Sequence, residues 1–276
     1  ALDEFVAGRW GLRPATSQRV GLLLDAAIEP ELRLRHLQAA DAARATLGVC
    51  VGAHATTDAP VGVEVSLSPS GASWGTVRRP DTLLHAAQRL VDAGCTAIAV
   101  VARFPDEEED ESLANYRAGS GVDVVGGAEA IISHLITREL RVPCAHAPAM
   151  APLPAEVGLS PRACAEELGH TFLPCVLANL ARAPSLVTRA DAPRNGDLWA
   201  DELDALVVPA GACGGPAVLA LASSSRTLVV VVEDVRDVAP AVRLRASAQQ
   251  ERRRMHALAL AARRRSADAV DRGVVP

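Results

Sequence analysis

The sequence predicts an α/β fold, a mainly parallel sheet flanked by helices, with room for two sub-sheets. Three observations point there. Asp81 to Ala93 is amphipathic and halts at Gly94, and the apolar run Thr96 to Ala102 (TAIAVVA) follows at once; a helix stopped by glycine and followed by a buried strand is the building unit of parallel sheets. Apolar runs such as Arg19 to Leu24, Thr96 to Ala102 and Thr227 to Val232 are strand-length, well short of the roughly 18 to 20 residues that cross a bilayer. Strand-like and helix-like stretches also alternate along the chain.

The elements follow in order. RVGLLL stops at Asp25 and reads as a buried strand. Pro30 then opens a helix whose apolar positions Leu32, Leu34, Leu37, Ala40 and Ala43 recur at helical spacing as far as Gly48. Val61 to Leu67 alternates as a half-buried strand does, and Ser68 to Thr76 (SPSGASWGT) reads as a small, hydroxyl-rich loop. Phe104 to Ser120 contains the run DEEEDE and reads as a solvated loop, the alternative being a cation site. After Gly126-Gly127 comes a helix, Ala128 to Leu140, then PCAHAPA (Pro143 to Ala149) and a proline-rich connection through Pro148, Pro152 and Pro154. Ser160 is a natural N-cap with Pro161 at the first helical position. Asp204 to Pro209 is a strand, Gly211 to Pro216 a turn, Ala217 to Ser223 a helix, and Thr227 to Val232 a returning strand. Residues 1–234 thus form an α/β core, divisible into two lobes near 150, and 235–276 an Arg- and Ala-rich helical segment.

Composition removes several function classes. All 28 basic residues are arginine. Without lysine there is no internal aldimine to pyridoxal phosphate, no Schiff-base aldolase, no Ser-Lys amidase dyad and no Walker A loop. A net charge of −5 and 3% aromatics argue against nucleic acid, which needs a basic face or stacking platforms. The six cysteines form no CxxC pair and sit mostly in apolar segments, and the start ALDEFVAGRW lacks an apolar leader core, so cytoplasmic residence with reduced thiols is expected.

Several stretches carry a resemblance: RVGLLLDAAIEPELRLRHLQAADAARATLG, SPSGASWGTV, AIAVVARFPD, GAEAIISHLITRELRVPCAHAPA, SPRACAEELGHTFLPC and DALVVPAGACGGPA. On these the chain resembles an uncharacterised bacterial and plastid family known as a domain of unknown function. The resemblance implies an α/β protein and carries no catalytic residue over. Members have some tens of residues upstream, including a Gly-rich strand and turn, whereas this chain starts at Ala1. A fragment, a processed form or the ordered part of something longer is therefore expected. From Val235 onward the chain fits the family poorly.

Parallel sheets bind ligands beyond the carboxyl ends of their strands. Residues at those positions include Asp25 with Glu29, Ser68 to Ser73 with Trp74, Arg103, Cys144 with His146, Cys213, and Glu233 with Asp234. In PAGACGGPA, Gly214 and Gly215 allow close backbone approach and Pro216 begins a helix; Cys213 there is a nucleophile or proton-transfer thiol, a small filler beside a bound anion, or part of a plain tight turn. Cys144 and His146, two apart, share one face of an extended segment and suit a thiol–imidazole pair or two metal ligands. A metal would need further ligands, for which Glu129 and His134 are the candidates. Ser73, Trp74 and the loop around them could hold an anion through backbone amides, and Arg103 could hold a carboxylate or pair with the acidic run that follows it. Cys50, Cys95, Cys164 and Cys175 read as core residues, and His170 as a cation near a helix end.

The function expected is that of a cytoplasmic enzyme acting on a small carboxylate- or phosphate-bearing metabolite. Cys213 would be the reactive thiol, Cys144 or His146 its acid–base partner with Glu129 behind, and Arg103, Ser73, Trp74, Gly214, Gly215 and Asp25 the binding residues. The chemistry would be isomerase or lyase, or acyl transfer and hydrolysis. No cofactor is expected, and a metal only through the CxH segment. The alternatives are a non-catalytic anion-binding protein and an assembly subunit. Expected partners are the small anion and either further copies of the chain or a partner supplying a missing N-terminal segment, with no nucleic acid or membrane.

Overall fold

The computed structural model describes residues 1–68, 72–106, 111–150, 155–164, 173–209, 213–223 and 227–232. The segment 235–276, His170, Glu233, Asp234, residues 107–110 of the acidic run, 69–71 of the serine-rich stretch, Pro152 and Pro154, and 210–212 of the glycine turn lie outside the described residues. The chain divides into two compact units, one of 12–187 with 191–197 and Ala1, the other of 2–11, 188–190 and 198 onward. In chain order the elements are α1 (Leu2–Val6), β1 (Gly11–Arg13), β2 (Val20–Leu24), α2 (Pro30–Leu47), β3 (Val51–Thr56), β4 (Val63–Leu67), β5 (Ser73–Val77), α3 (Pro80–Asp92), β6 (Ala97–Arg103), α4 (Glu111–Arg117), α5 (Gly126–Leu140), β7 (Cys144–Ala149), α6 (Pro161–Cys164), α7 (Leu173–Leu180), β8 (Ser185–Val187), β9 (Ala205–Pro209), α8 (Pro216–Ala222) and β10 (Leu228–Val232).

The first unit is built on a parallel sheet of order β3-β2-β6-β7. Side chains alternate across it. Val20, Leu22 and Leu24 of β2, with Ala97, Ala99 and Val101 of β6, pack against α2 and α7. Leu23, Ile98, Val100 and Ala102 face the opposite way, onto Leu83, Ala86 and Leu90 of α3 and Ala128, Ile132 and Ile136 of α5. With helices on both faces, the two central strands must be apolar throughout, which is why they stand out as continuous runs. Each fully buried leucine or isoleucine in these layers contributes about 1.5–3 kcal/mol. The expected α/β fold, a mainly parallel sheet flanked by helices, is what the structure has, and among the described residues three two-stranded sheets accompany the four-stranded one. Helix α2 opens on Pro30 and closes on Gly48, whose φ of 66° a side chain would strain.

Four local expectations need correction. Strand β3 (VGAHAT) went unread because its small residues and histidine make no apolar run; pairing to β2 alone makes it a strand. The stretch around SWGT is not a loop, since Ser73–Val77 pairs antiparallel with β4, Leu67 opposite Ser73 and Val63 opposite Val77. Glu111–Arg117, taken as solvated, forms α4 and buries Leu113, Tyr116 and Arg117. Pro148, taken as connection, lies inside β7, which an edge strand tolerates because no neighbour needs its missing N–H.

In the second unit β9 and β10 pair in parallel, from Leu228 opposite Ala205 to Val232 opposite Pro209, with α8 between them in sequence.

Candidate active site

Strand β2 is the topological switch of the sheet, because the chain leaves it toward β3 on one side and later returns to β6 on the other. Ligands of such sheets sit beyond this point. Here Asp25 occupies it. Its buried carboxylate accepts the backbone N–H groups of Ala27 (3.0 Å), Val61 (3.0 Å) and Arg103 (3.1 Å). Three loops are therefore tied to one side chain. The Arg103 guanidinium lies across the same place and is already engaged: Nε donates to Glu29 (3.1 Å) and the two Nη groups to Asp106 (2.8 and 3.1 Å). The pairing with the acidic run is thus what the structure has, and a substrate carboxylate at Arg103 would have to displace two resident ones.

The second cluster lies on the α5 face of the sheet. Cys144 and His146 sit opposite Ile98 and Val100 of β6, which face α5, so the two share one face as their spacing requires. Helix α5 presents Glu129 and, one turn later, Ser133. His146 Nε2 lies 3.4 Å from Glu129 Oε2, and its Nδ1 lies 3.1 Å from Ser133 Oγ. The imidazole is 24% exposed and the Glu129 side chain 5%. Glu129 Oε1 is buried with no hydrogen-bond partner among the described residues. Asp123, just ahead of α5, accepts the Val125 N–H at 3.0 Å; burial and then the Glu129 charge push its carboxyl above the ordinary range, while His146 pulls the other way. Burial pushes the Cys144 thiol far up, so this sulfur stays protonated. The cluster can hold and pass a proton, with the imidazole as its accessible member. Glu129 and His146 were read from sequence; Ser133 and Asp123 were not. The signal available for Ser133 was its place four residues after Glu129, on the same helical face.

The first turn of α5 is fixed by the β4–β5 hairpin. Ser73 Oγ donates to Val124 O (2.7 Å) and accepts from Gly127 N–H (2.8 Å), supplying the N-terminal partner that α5 lacks on its own. A Cβ on Gly75 would lie 2.7 Å from Ala128 Cα, and one on Gly127 2.7 Å from the Ser73 carbonyl. Glycine is required at both by this close approach. Trp74, one residue on from Ser73, turns to the outer face of the hairpin and is 62% exposed.

Other expected site residues lie apart. His134 is exposed, because five residues from Glu129 carries it off the buried face. Among the described residues no group of three His, Cys, Asp or Glu side chains is placed to hold a metal. No disulfide joins the six cysteines; Cys95 is buried, but Cys50 is exposed, contrary to its reading as core. Cys213, Gly214 and Gly215 belong to the second unit and lead into α8, with Pro216 at its first position and, among the described residues, nothing within 4 Å of where a Gly214 Cβ would sit.

Fold and cluster together define a helix-flanked α/β protein with a buried carboxylate, an imidazole and a hydroxyl meeting on one face of the sheet. The chain belongs to the family described as "Protein of unknown function (DUF3326)", whose model matches residues 1–270, so the stretch from Val235, expected to fit the family poorly, falls within the match as far as residue 270. It is similar to a protein of Synechococcus sp. (strain ATCC 27144 / PCC 6301 / SAUG 1402/1) described as an uncharacterized lipoprotein, 54% identical over 234 residues, which are 85% of this chain. The chain spans about two thirds (65%) of the length of that relative. No solved structure matches it.

Proposed function

We propose that the protein is an enzyme that moves a proton on a small metabolite, with His146 as the acid–base group and Glu129 as its carboxylate partner. One observation carries this reading: a partly exposed imidazole stands over a buried carboxylate, one of whose oxygens has no partner. Burying a carboxylate with incomplete hydrogen bonding costs free energy, and such groups gather where proton transfer is done. The chemistry is proton abstraction beside a carbonyl, as in isomerisation or racemisation, or activation of water for hydrolysis. A carboxylate- or phosphate-bearing substrate remains part of the proposal. Residence in the cytoplasm does too, although the word lipoprotein in the relative's name favours membrane attachment; fractionation of cells making the full-length protein separates the two.

The test is solvent exchange. The protein is incubated in D₂O with a panel of small keto acids, hydroxy acids and sugar phosphates, and loss of their carbon-bound proton signals is followed by NMR. At least one substrate class should exchange, and His146→Gln and Glu129→Gln should each slow it by about 100-fold or more. Undiminished exchange with His146→Gln would sink the proposal.

A second reading is simple anion binding at the turn of Cys213 to Gly215. The side of Gly214 where no atom of the described residues lies within 4 Å of a would-be Cβ favours it, since a ligand could reach the backbone there. Protection of Cys213 from alkylation by inorganic phosphate is the corresponding observation to seek.

A further inference from the structure

We propose that Ser133 is a positioning residue that decides which ring nitrogen of His146 carries the proton, keeping Nδ1–H in the neutral ring and leaving Nε2 as the nitrogen that exchanges protons. This rests on the reading of His146 as the acid–base group. The Ser133 hydroxyl has one hydrogen and three neighbours: the Glu129 carbonyl at 3.2 Å, the Ala130 carbonyl at 3.4 Å and His146 Nδ1 at 3.1 Å. The two carbonyls can only accept. A serine inside a helix habitually donates back to the carbonyl four residues earlier, here that of Glu129. With its hydrogen spent there, Oγ offers only lone pairs to His146, so Nδ1 must be the donor. The opposite nitrogen, Nε2, then points a lone pair at Glu129 Oε2, 3.4 Å away.

In this tautomer both atoms are acceptors and no hydrogen bond joins them, which fits their 3.4 Å separation. At 3.4 Å the contact is longer than a good hydrogen bond, which leaves Nε2 the side of the ring where a substrate group can enter. Two further groups near the cluster have partners of their own: Asp123 accepts the Val125 N–H at 3.0 Å, and the Cys144 thiol points its S–H toward the Ala145 carbonyl at 3.9 Å. Ser133, itself buried, is not placed to attack a substrate and acts only through the ring.

Long-range ¹H–¹⁵N NMR of ¹⁵N-histidine-labelled full chain reads the tautomer directly. At a pH where His146 is neutral, the wild type should show protonated Nδ1 and bare Nε2; Ser133→Ala should switch the ring to the Nε2–H form, which then donates to Glu129. Ser133→Thr, which restores a hydroxyl, should return the Nδ1–H signature. A wild-type ring already protonated at Nε2, or an unchanged tautomer in Ser133→Ala, overturns the assignment. The measurement needs no substrate, so it is separate from the exchange assay: a tautomer that switches as expected, together with undiminished exchange by His146→Gln, would reject the catalytic reading and leave the tautomer assignment standing.

Discussion

Single side chains carry two kinds of load in this protein. Asp25 is structural: it accepts three backbone N–H groups at the end of β2. Asp25→Ala leaves those donors to find water in a buried place, and a loss of about 3 kcal/mol or more is expected from urea denaturation. The thiols divide by environment. Cys50 is exposed, whereas burial pushes up both Cys95 and Cys144. Iodoacetamide at pH 8 followed by mass spectrometry should therefore label Cys50 first and leave Cys95 and Cys144 for last in the folded protein; early labelling of Cys144 would contradict the packing of β7 on α5. Glu129 and His146 were both legible as candidates from residue type and neighbouring motifs. Their contact was not, because a sequence gives spacing along a helix but not the strand that the helix faces.

Elements are held by a few specific contacts that can be tested one at a time. The seam between β5 and the first turn of α5 has no room for a side chain at Gly75 or Gly127. Gly75→Ala should cost about 1–3 kcal/mol through overpacking, seen as a lower thermal midpoint. Arg13 of β1 forks onto Asp197 with two 2.7 Å contacts, and this holds the Asp197 carboxyl down at about 2. Its ordinary value is near 4, so the unfolded chain takes up this proton first on acidification. The contribution of the fork is thus complete above about pH 4 and fades as pH falls toward 2. Wild type and Asp197→Asn should differ in denaturant midpoint at pH 5 and converge near pH 2; a constant difference would mean that the fork does not depend on this charge. Strands β2 and β6 were legible because burial on both faces leaves only apolar residues. β3 and β5 were not, since each becomes a strand only through its neighbour, and Ser-Trp-Gly-Thr has no periodicity to show this in advance.

At the scale of the whole molecule, stability should be uneven. The central strands β2 and β6 are buried between two helical layers, while β9 and β10 form a two-stranded pair with Val207, Val231 and Val232 half exposed. Native-state hydrogen exchange should find the amides of β2 and β6 opening only with global unfolding, and those of β10 exchanging earlier. Equal protection in both would refute this layering. The doubly covered sheet could be foreseen from the alternation of apolar runs and amphipathic helices. Two lobes divided near 150 were among the expectations; the actual course of the two units, with 2–11, 188–190 and 198 onward in one of them, could not be read in advance, because it follows from which segments touch and not from a linker visible in composition. One feature of the first unit sets a tolerance for everything near it. Backbone meets backbone where the hairpin crosses α5, so the turn bearing Glu129 cannot slide on its neighbour as two layers of leucines can. Positional noise in the hairpin reaches the carboxylate almost undamped, and the residue that stands beside His146 is held as steadily as that hairpin and no more.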